Sequence, residues 1–187
     1  MRKTIYSILA LSILLSCFFF YSSNRSRRIV ELEMKYKRMG CSLYHERVLE
    51  NAPQWVQALN YKLFGKAFAE FEACYNLSQD QLEEVVGFTK LTEVDLSYTK
   101  GLDLKVLSQL KLKKLSLYLS QVKSPEVLKE FDLNYLVLAG SNITDFSLIL
   151  HMKNLKTLLV SGISPGKHAW IKEHLPQCEI RITSIDE

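Results

Sequence analysis

Four segments of this chain follow one pattern in one phase: Leu91-x-x-Val94-x-Leu96, Leu112-x-x-Leu115-x-Leu117, Leu133-x-x-Leu136-x-Leu138 and Leu155-x-x-Leu158-x-Val160, set 21, 21 and 22 residues apart. A period in this range marks an array in which one short unit recurs and packs on its neighbours. Strand alternation sends the two large apolar residues at the end of each motif to one side and the residue between them to the other. One unit alone cannot bury that apolar side. Stacked units can, at ~1.5–3 kcal/mol for each fully buried large side chain, and this offsets the entropy of ordering the chain. The expected fold class is therefore α/β, a short solenoid of parallel strands joined by short helices or turns. Phe71-x-Ala73 upstream and Ile180-x-Ile182 downstream share the phase and would form atypical terminal strands.

The segments between strands carry helix and turn signals. Ser78-Gln79-Asp80-Gln81 has the spacing of a capping box, and Ser124-Pro125 and Ser164-Pro165 each set an N-cap residue before a proline at the first helical position. Upstream, Ile29, Leu32, Tyr36 and Met39 recur three or four apart through a charged stretch that stops at Gly40, which predicts an amphipathic stalk helix. Cys41-Ser42-Leu43-Tyr44 alternates like a short strand. Trp55, Leu59 and Leu63 share one helical face before Gly65, as a cap for the array would. The resulting division is 1–23 as membrane anchor or lipoprotein-type signal, 24–40 as stalk, 41–77 as a small capping region with the first atypical strand, and 78–187 as repeats.

Residues 91–150 resemble the bacterial leucine-rich repeat pattern LxxLxLxxTxITDxxxL. Thr99, Ser120 and Ser141 stand where other subfamilies carry Asn, and Asn142-Ile143-Thr144-Asp145 is close to the family's turn. The hydroxyls would cap backbone groups at the bend. The ending Leu175-Pro176-Gln177-Cys178-Glu179-Ile180 is similar to that of many such arrays. Lys37-Arg38-Met39-Gly40, Pro53-Gln54-Trp55 and Leu63-Phe64-Gly65 resemble the preamble of membrane-anchored leucine-rich repeat proteins of planctomycete-type bacteria. The resemblance implies a fold and a membrane location, and no catalytic residues. Gly101 stands at the usual Ile position and Ile163 replaces the hydroxyl residue of the last full repeat, so irregular turns are expected there.

From Thr4 to Ser23 there is no charged residue, after Arg2 and Lys3. As a helix at about 1.5 Å per residue this segment covers ~30 Å, the hydrocarbon thickness of a bilayer. Two readings stand. In one it is an uncleaved transmembrane anchor, prolonged by Phe18, Phe19 and Phe20 with Tyr21 at the interface. In the other, Leu14-Leu15-Ser16-Cys17 is a lipobox-like site and Cys17 is lipidated. Both put the protein at a membrane, on opposite sides. Arg25, Arg27, Arg28, Lys35, Lys37 and Arg38 place an anchored domain in the cytoplasm by the positive-inside rule, whereas a lipoprotein is exported.

Chemistry-bearing motifs are missing. His45, His151, His168 and His174 show no metal-binding spacing, and there is no nucleophile elbow or glycine-rich phosphate loop. Glu83-Glu84 and Asp186-Glu187 are neighbours in sequence, which cannot face one another across a cleft. Cys17, Cys41, Cys74 and Cys178 lie far apart with no CxxC; three of them fall beside apolar residues at strand-like positions and read as small buried hydrophobes, with no disulfide framework or metal indicated. The sequons at Asn76 and Asn142 fall on turn positions that explain them without sugar. The net charge of +4 is spread among nearly as many acids, giving no basic face for nucleic acid. The expected function is therefore a non-catalytic, membrane-tethered protein-binding module or scaffold without cofactors, the alternative being a structural envelope lipoprotein anchored through Cys17.

With the phase fixed, the outward residues fall in columns. Glu93 and Asp95 give the first repeats an acidic stripe, and Lys114 follows in the column of Glu93. Further along, Tyr118, Tyr135, Val137 and Leu159 converge on one outward apolar patch of the expected concave face, and exposed aromatic clusters mark interaction sites. These seven residues are the expected contact with an unidentified protein partner.

Overall fold

The structure, a computed structural model, describes residues 27–28, 30–45, 68–72, 77–88 and 91–184. The segment expected as an anchor, with Cys17, most of the expected capping region including Trp55, Gly65 and Cys74, the Asn76 sequon and the pair Asp186-Glu187 lie outside the described residues. No helix among the described residues is long and apolar enough to cross a membrane.

The chain is α/β with a mostly parallel sheet. In chain order it runs α1 (30–38), β1 (Ser42–His45), β2 (Phe68–Glu72), α2 (Gln79–Phe88), β3 (Glu93–Asp95), β4 (Lys100–Asp103), β5 (Lys114–Ser116), β6 (Gln121–Lys123), β7 (Tyr135–Val137), β8 (Thr157–Val160), α3 (Pro165–His174) and β9 (Glu179–Ile182). Among the described residues, seven strands form one sheet in the order β1-β2-β3-β5-β7-β8-β9, and β4 pairs with β6 in a second, parallel one. β1 is antiparallel to β2. From β2 onward every pairing is parallel: Phe71 stands opposite Val94, then Val94 opposite Leu115, Leu115 opposite Leu136, Leu136 opposite Leu158 and Leu158 opposite Ile180. The phase of the sequence motifs is thus the register of the sheet.

These aligned residues are the spine of the core. Leu115, Leu136 and Leu158 are wholly buried, as are Leu96, Leu117, Leu104, Leu107, Leu133 and Leu155. Short 3₁₀ turns close the connections at Leu104–Gln109, Pro125–Glu130 and Phe146–Ile149. Two of them begin at an aspartate whose carboxylate accepts a backbone N–H, Asp103 from Lys105 and Asp145 from Ser147. Ser78 and Gln81 make the reciprocal capping box at the start of α2, at 3.3 and 2.9 Å, and Ser164 caps α3 through Lys167 N. Ser124 does not cap its turn. Leaving β6 the chain reverses there at φ 54°, and the side chain makes no capping bond; its hydroxyl instead helps to stabilise the Asp103 carboxylate one repeat earlier.

The hydroxyl positions behave alike. Thr99 Oγ1 donates to Leu96 O, Ser120 Oγ to Leu117 O and Ser141 Oγ to Leu138 O, at 2.6, 2.6 and 2.8 Å. Thr99 and Ser120 are buried, so each hydroxyl needs that partner. Ile163 cannot continue the series, and Val160 O accepts from Thr183 N instead. The turn at Gly101 is irregular: φ is 74°, and the β4–β6 register shifts between Lys100 and Leu102 so that Leu102 fills the core. Asn142 extends the same small sheet with its side chain, accepting from Val122 N and donating to Val122 O, both at 3.0 Å.

The stalk helix is not separate from the domain. Leu32 and Tyr36 are buried, and Tyr36 Oη donates to Gln81 O at 2.6 Å and bonds the Glu84 carboxylate at 2.9 Å, both in α2. Lys35 pairs with the same carboxylate, and the Tyr36 ring meets Phe71 edge-on at 6.1 Å. Gly40 ends the helix at φ 84°. Nor are the cysteines uniformly small hydrophobes: Cys178 is a buried free thiol, but Cys41 is disulfide-bonded. Sequence spacing alone did not show this, since the four cysteines lie far apart with no CxxC.

Candidate functional site

The face of the sheet opposite the core is built by the residues on either side of the inward-pointing middle residue of β3, β5 and β7. The pairings set Glu93 opposite Lys114, Lys114 opposite Tyr135 and Tyr135 opposite Thr157; beside them run Asp95, Ser116, Val137 and Leu159. All seven residues expected from sequence thus belong to β3, β5, β7, β8 or the turn after β5, where Tyr118 stands. A cavity of about 220 Å³ opens on the first strands, lined by Glu72, Glu93, Asp95, Lys114, Ser116 and Tyr135 together with Phe71, Val94 and Leu115.

The charges on this face are largely occupied with one another. Lys114 Nζ bonds Glu93 at 2.8 and 2.9 Å. Asp95 Oδ1 accepts from Ser97 N at 2.8 Å and from the Ser97 hydroxyl, which lies 2.9 Å from the Ser116 hydroxyl. At the other edge Arg181 forms a two-pronged pair with Glu179, which holds the Glu179 carboxyl below its ordinary range.

The apolar patch is narrower than the columns suggest. Tyr118, Tyr135 and Leu159 are half-buried, whereas Val137 is 7% exposed and the following Ala139 is fully buried. Val137 therefore supports the patch rather than opening on it. Tyr98, which sequence reasoning left out, is 55% exposed and packs edge-on against Tyr118 with ring centroids 5.5 Å apart. Its position is unusual. Tyr98, Leu119, Gly140 and Gly162 recur at the repeat spacing, all with positive φ, at 61, 51, 71 and 61°. Glycine takes this conformation freely, and a bulky side chain pays strain for it. Glycine at two of the four places in that one column was the signal available in the sequence.

A second cavity, about 460 Å³, lies among the turns after β7 and β8, lined by Ser141, Thr144, Phe146, Ser161, Ser164 and Lys167 among others. Lys167 is engaged there, donating to Thr144 O at 2.8 Å above the Phe146 ring. His151 and His174 each bond a backbone carbonyl, of Phe131 and Trp170. No group of three metal-binding side chains occurs among the described residues. Burial pushes the Cys178 thiol up, which leaves it unreactive.

No protein-family model matches this chain, and no curated protein matches it.

Proposed function

We propose that this protein is a leucine-rich repeat module of the membrane-anchored bacterial, planctomycete-like kind, a solenoid held at a membrane by its N-terminal segment and binding another protein through the sheet face around Tyr98, Tyr118, Tyr135 and Leu159. The module is non-catalytic and needs no cofactor. The observation that carries the reading is Tyr98. The two later repeats use glycine at the equivalent left-handed position and the adjacent one a half-buried leucine, yet here an exposed tyrosine is kept in a conformation costing of order 1 kcal/mol, and stacked on a second tyrosine. A side chain that strains the backbone without contributing to the core points to a role outside the fold. Tyrosine suits protein contact: a large rigid surface with a polar tip and few rotamers to freeze.

The test compares the wild-type chain with a Tyr118→Ala, Leu159→Lys double variant by circular dichroism and by crosslinking in native membranes. The expected result is an unchanged spectrum with loss of a crosslinked protein. A folded variant that keeps every crosslinked partner would refute the reading.

A further inference from the structure

The two long sides of α1 differ. At 3.6 residues per turn Leu32 and Tyr36 share one side, and both are buried against the domain, Tyr36 through Gln81 and Glu84 of α2 and Phe71 of β2. At the margin of that side Lys35 pairs with Glu84, and Met39 Sδ accepts from Gln81 Nε2. The opposite side carries Val30 and Met34 one turn apart, with Lys37 on one flank, Arg27 and Arg38 on the other, and the acid Glu31 at its edge. Val30 is 43% and Met34 46% exposed, and the three cations are exposed with them. Among the described residues no acid pairs with Arg27, Lys37 or Arg38.

Single exposed apolar residues are ordinary, but two in helical register framed by cations on both flanks match a helix lying in a membrane interface. There the apolar side chains dip toward the acyl chains, and the long basic ones reach the headgroup phosphates. The chain just before α1 says what covers this side. Thr4 to Ser23 carries no charge, and only Asn24, Arg25 and Ser26 separate that stretch from Arg27. Three residues span about 10 Å at full extension, so a tethered α1 starts within about one Debye length of the headgroups.

We infer that α1 lies flat on an anionic phospholipid surface, with Val30 and Met34 toward the acyl chains and Arg27, Lys37 and Arg38 on the headgroup phosphates. The inference rests on the membrane tether proposed above and adds to it a lipid contact and an orientation. Because the inner side of α1 is fastened to α2 and β2, a flat helix holds the β1–β2 edge of the sheet toward the bilayer, with β9 at the opposite edge.

The experiment reconstitutes the full chain in nanodiscs of phosphatidylcholine, with or without phosphatidylglycerol. A photoreactive diazirine residue replaces Met34 or, as an exposed control on α3, Trp170. Lipid adducts are counted by mass spectrometry after illumination. With phosphatidylglycerol present, adducts at position 34 should exceed those at 170 by at least roughly fivefold, the effect of a single cation near an anionic surface. They should fall by a similar factor in phosphatidylcholine alone, and in an Arg27→Gln, Lys37→Gln, Arg38→Gln variant whose circular dichroism is unchanged. Raising salt from about 0.05 to 0.5 M should lower them in the wild-type chain, a readout that needs no variant. Equal adducts at 34 and 170, or adducts at 34 to a second copy of the chain in place of lipid, overturn the flat helix. A yield at 34 that ignores phosphatidylglycerol, salt and the three substitutions overturns the headgroup contact. A chain that does not stay with the discs on gel filtration overturns the tether itself, an outcome distinct from the other two.

Discussion

Leu136→Ala tests whether burial in the aligned column holds this fold together. Leu136 is wholly buried, and β7 is hydrogen-bonded on both sides, its Leu136 lying opposite Leu115 of β5 and Leu158 of β8. Truncation removes the transfer free energy of the lost atoms and leaves a void, and the cost depends on how far the surroundings can relax, about 2–5 kcal/mol in general. Here the backbone on either side is fixed by ladder bonds and the neighbouring residues in the column are themselves large, so collapse is restricted. The expected loss lies in the middle of that range or above, about 3–4 kcal/mol. For a domain this size each kcal/mol moves the midpoint by roughly 2–4 °C, so a fall of roughly 10 °C should be seen. Two controls share the local context. Asn134→Ala, one residue before β7 and partly exposed, should cost less than about 1 kcal/mol, since its ladder bonds are made by backbone atoms. Ile182→Ala lies in the same phase as Val160 but is 56% exposed, and should cost less than about 0.5 kcal/mol. Urea unfolding followed by circular dichroism reads all three. Equal losses at Leu136 and Asn134, or a large loss at Ile182, would mean that phase does not decide burial and the reasoning is wrong.

Other consequences are quickly stated. Ser120→Ala removes a buried hydroxyl from Leu117 O, which keeps its bond from Ser120 N at 3.2 Å, so the loss in urea unfolding should be about 1 kcal/mol rather than the larger cost of an orphaned carbonyl. Tyr36→Phe breaks the bonds to Gln81 O and Glu84 and should loosen α1 from α2, seen as faster hydrogen exchange in 30–38 with the strands unchanged. Glu84 is held below the ordinary carboxylate range, first by Lys35 and then by Tyr36, Asp103 first by the Lys105 N–H it caps, and Asp145 by the Ser147 hydroxyl and then the Ser147 N–H. A depressed carboxyl contributes stability above its unfolded value and loses it as pH falls through the folded one; acid titration should therefore weaken the fold, and Glu84→Gln should flatten that slope. Tyr36 is shifted the other way, upward by burial first and by Glu84 next, so its contribution persists below the ordinary tyrosine value of 10.0 and fades above it, an alkaline loss that Tyr36→Phe should abolish.

The sheet register was readable because side-chain alternation and repeat length constrain each other: a one-residue slip would turn every leucine outward. Other features had no such double constraint. β4 and β6 place only Leu102 and Val122 in the core, so Lys100–Asp103 and Gln121–Lys123 show no alternation long enough to read as strands. Asn142 looked like a turn residue, and its role as a side-chain rung beside Val122 depends on a partner twenty positions away. The N-cap reading of Ser124-Pro125 used a local rule that held at Ser164 and failed where β6 forces a left-handed reversal. For the candidate face, columns identified which residues share a side but not how deep each one sits. Val137 lies on a central strand, opposite Ser116 and Leu159, and is covered, whereas Tyr98, three residues past the end of β3, stays open.

That distinction changes what the face can use for recognition. From sequence, Glu93 and Asp95 form an acidic stripe able to orient a basic partner. In the structure Lys114 already bridges to Glu93, Asp95 accepts from Ser97, and Glu179 is matched by Arg181. A partner that engaged these charges would first have to break bonds already made, gaining little in water at the surface. The tyrosines carry no such prior engagement across the sheet beyond the contact between Tyr98 and Tyr118, and each offers apolar area to be removed from water. Binding through this face should therefore be dominated by the aromatic surface, with charge setting orientation at the rim. The crosslinked complex should accordingly survive a rise in salt from about 0.05 to 0.5 M, over which surface attraction is largely screened, and should be lost with Tyr118 and Tyr98 rather than with Glu93. A complex that dissolves in salt while tolerating both tyrosine truncations would reverse the order and return the acidic stripe to the lead.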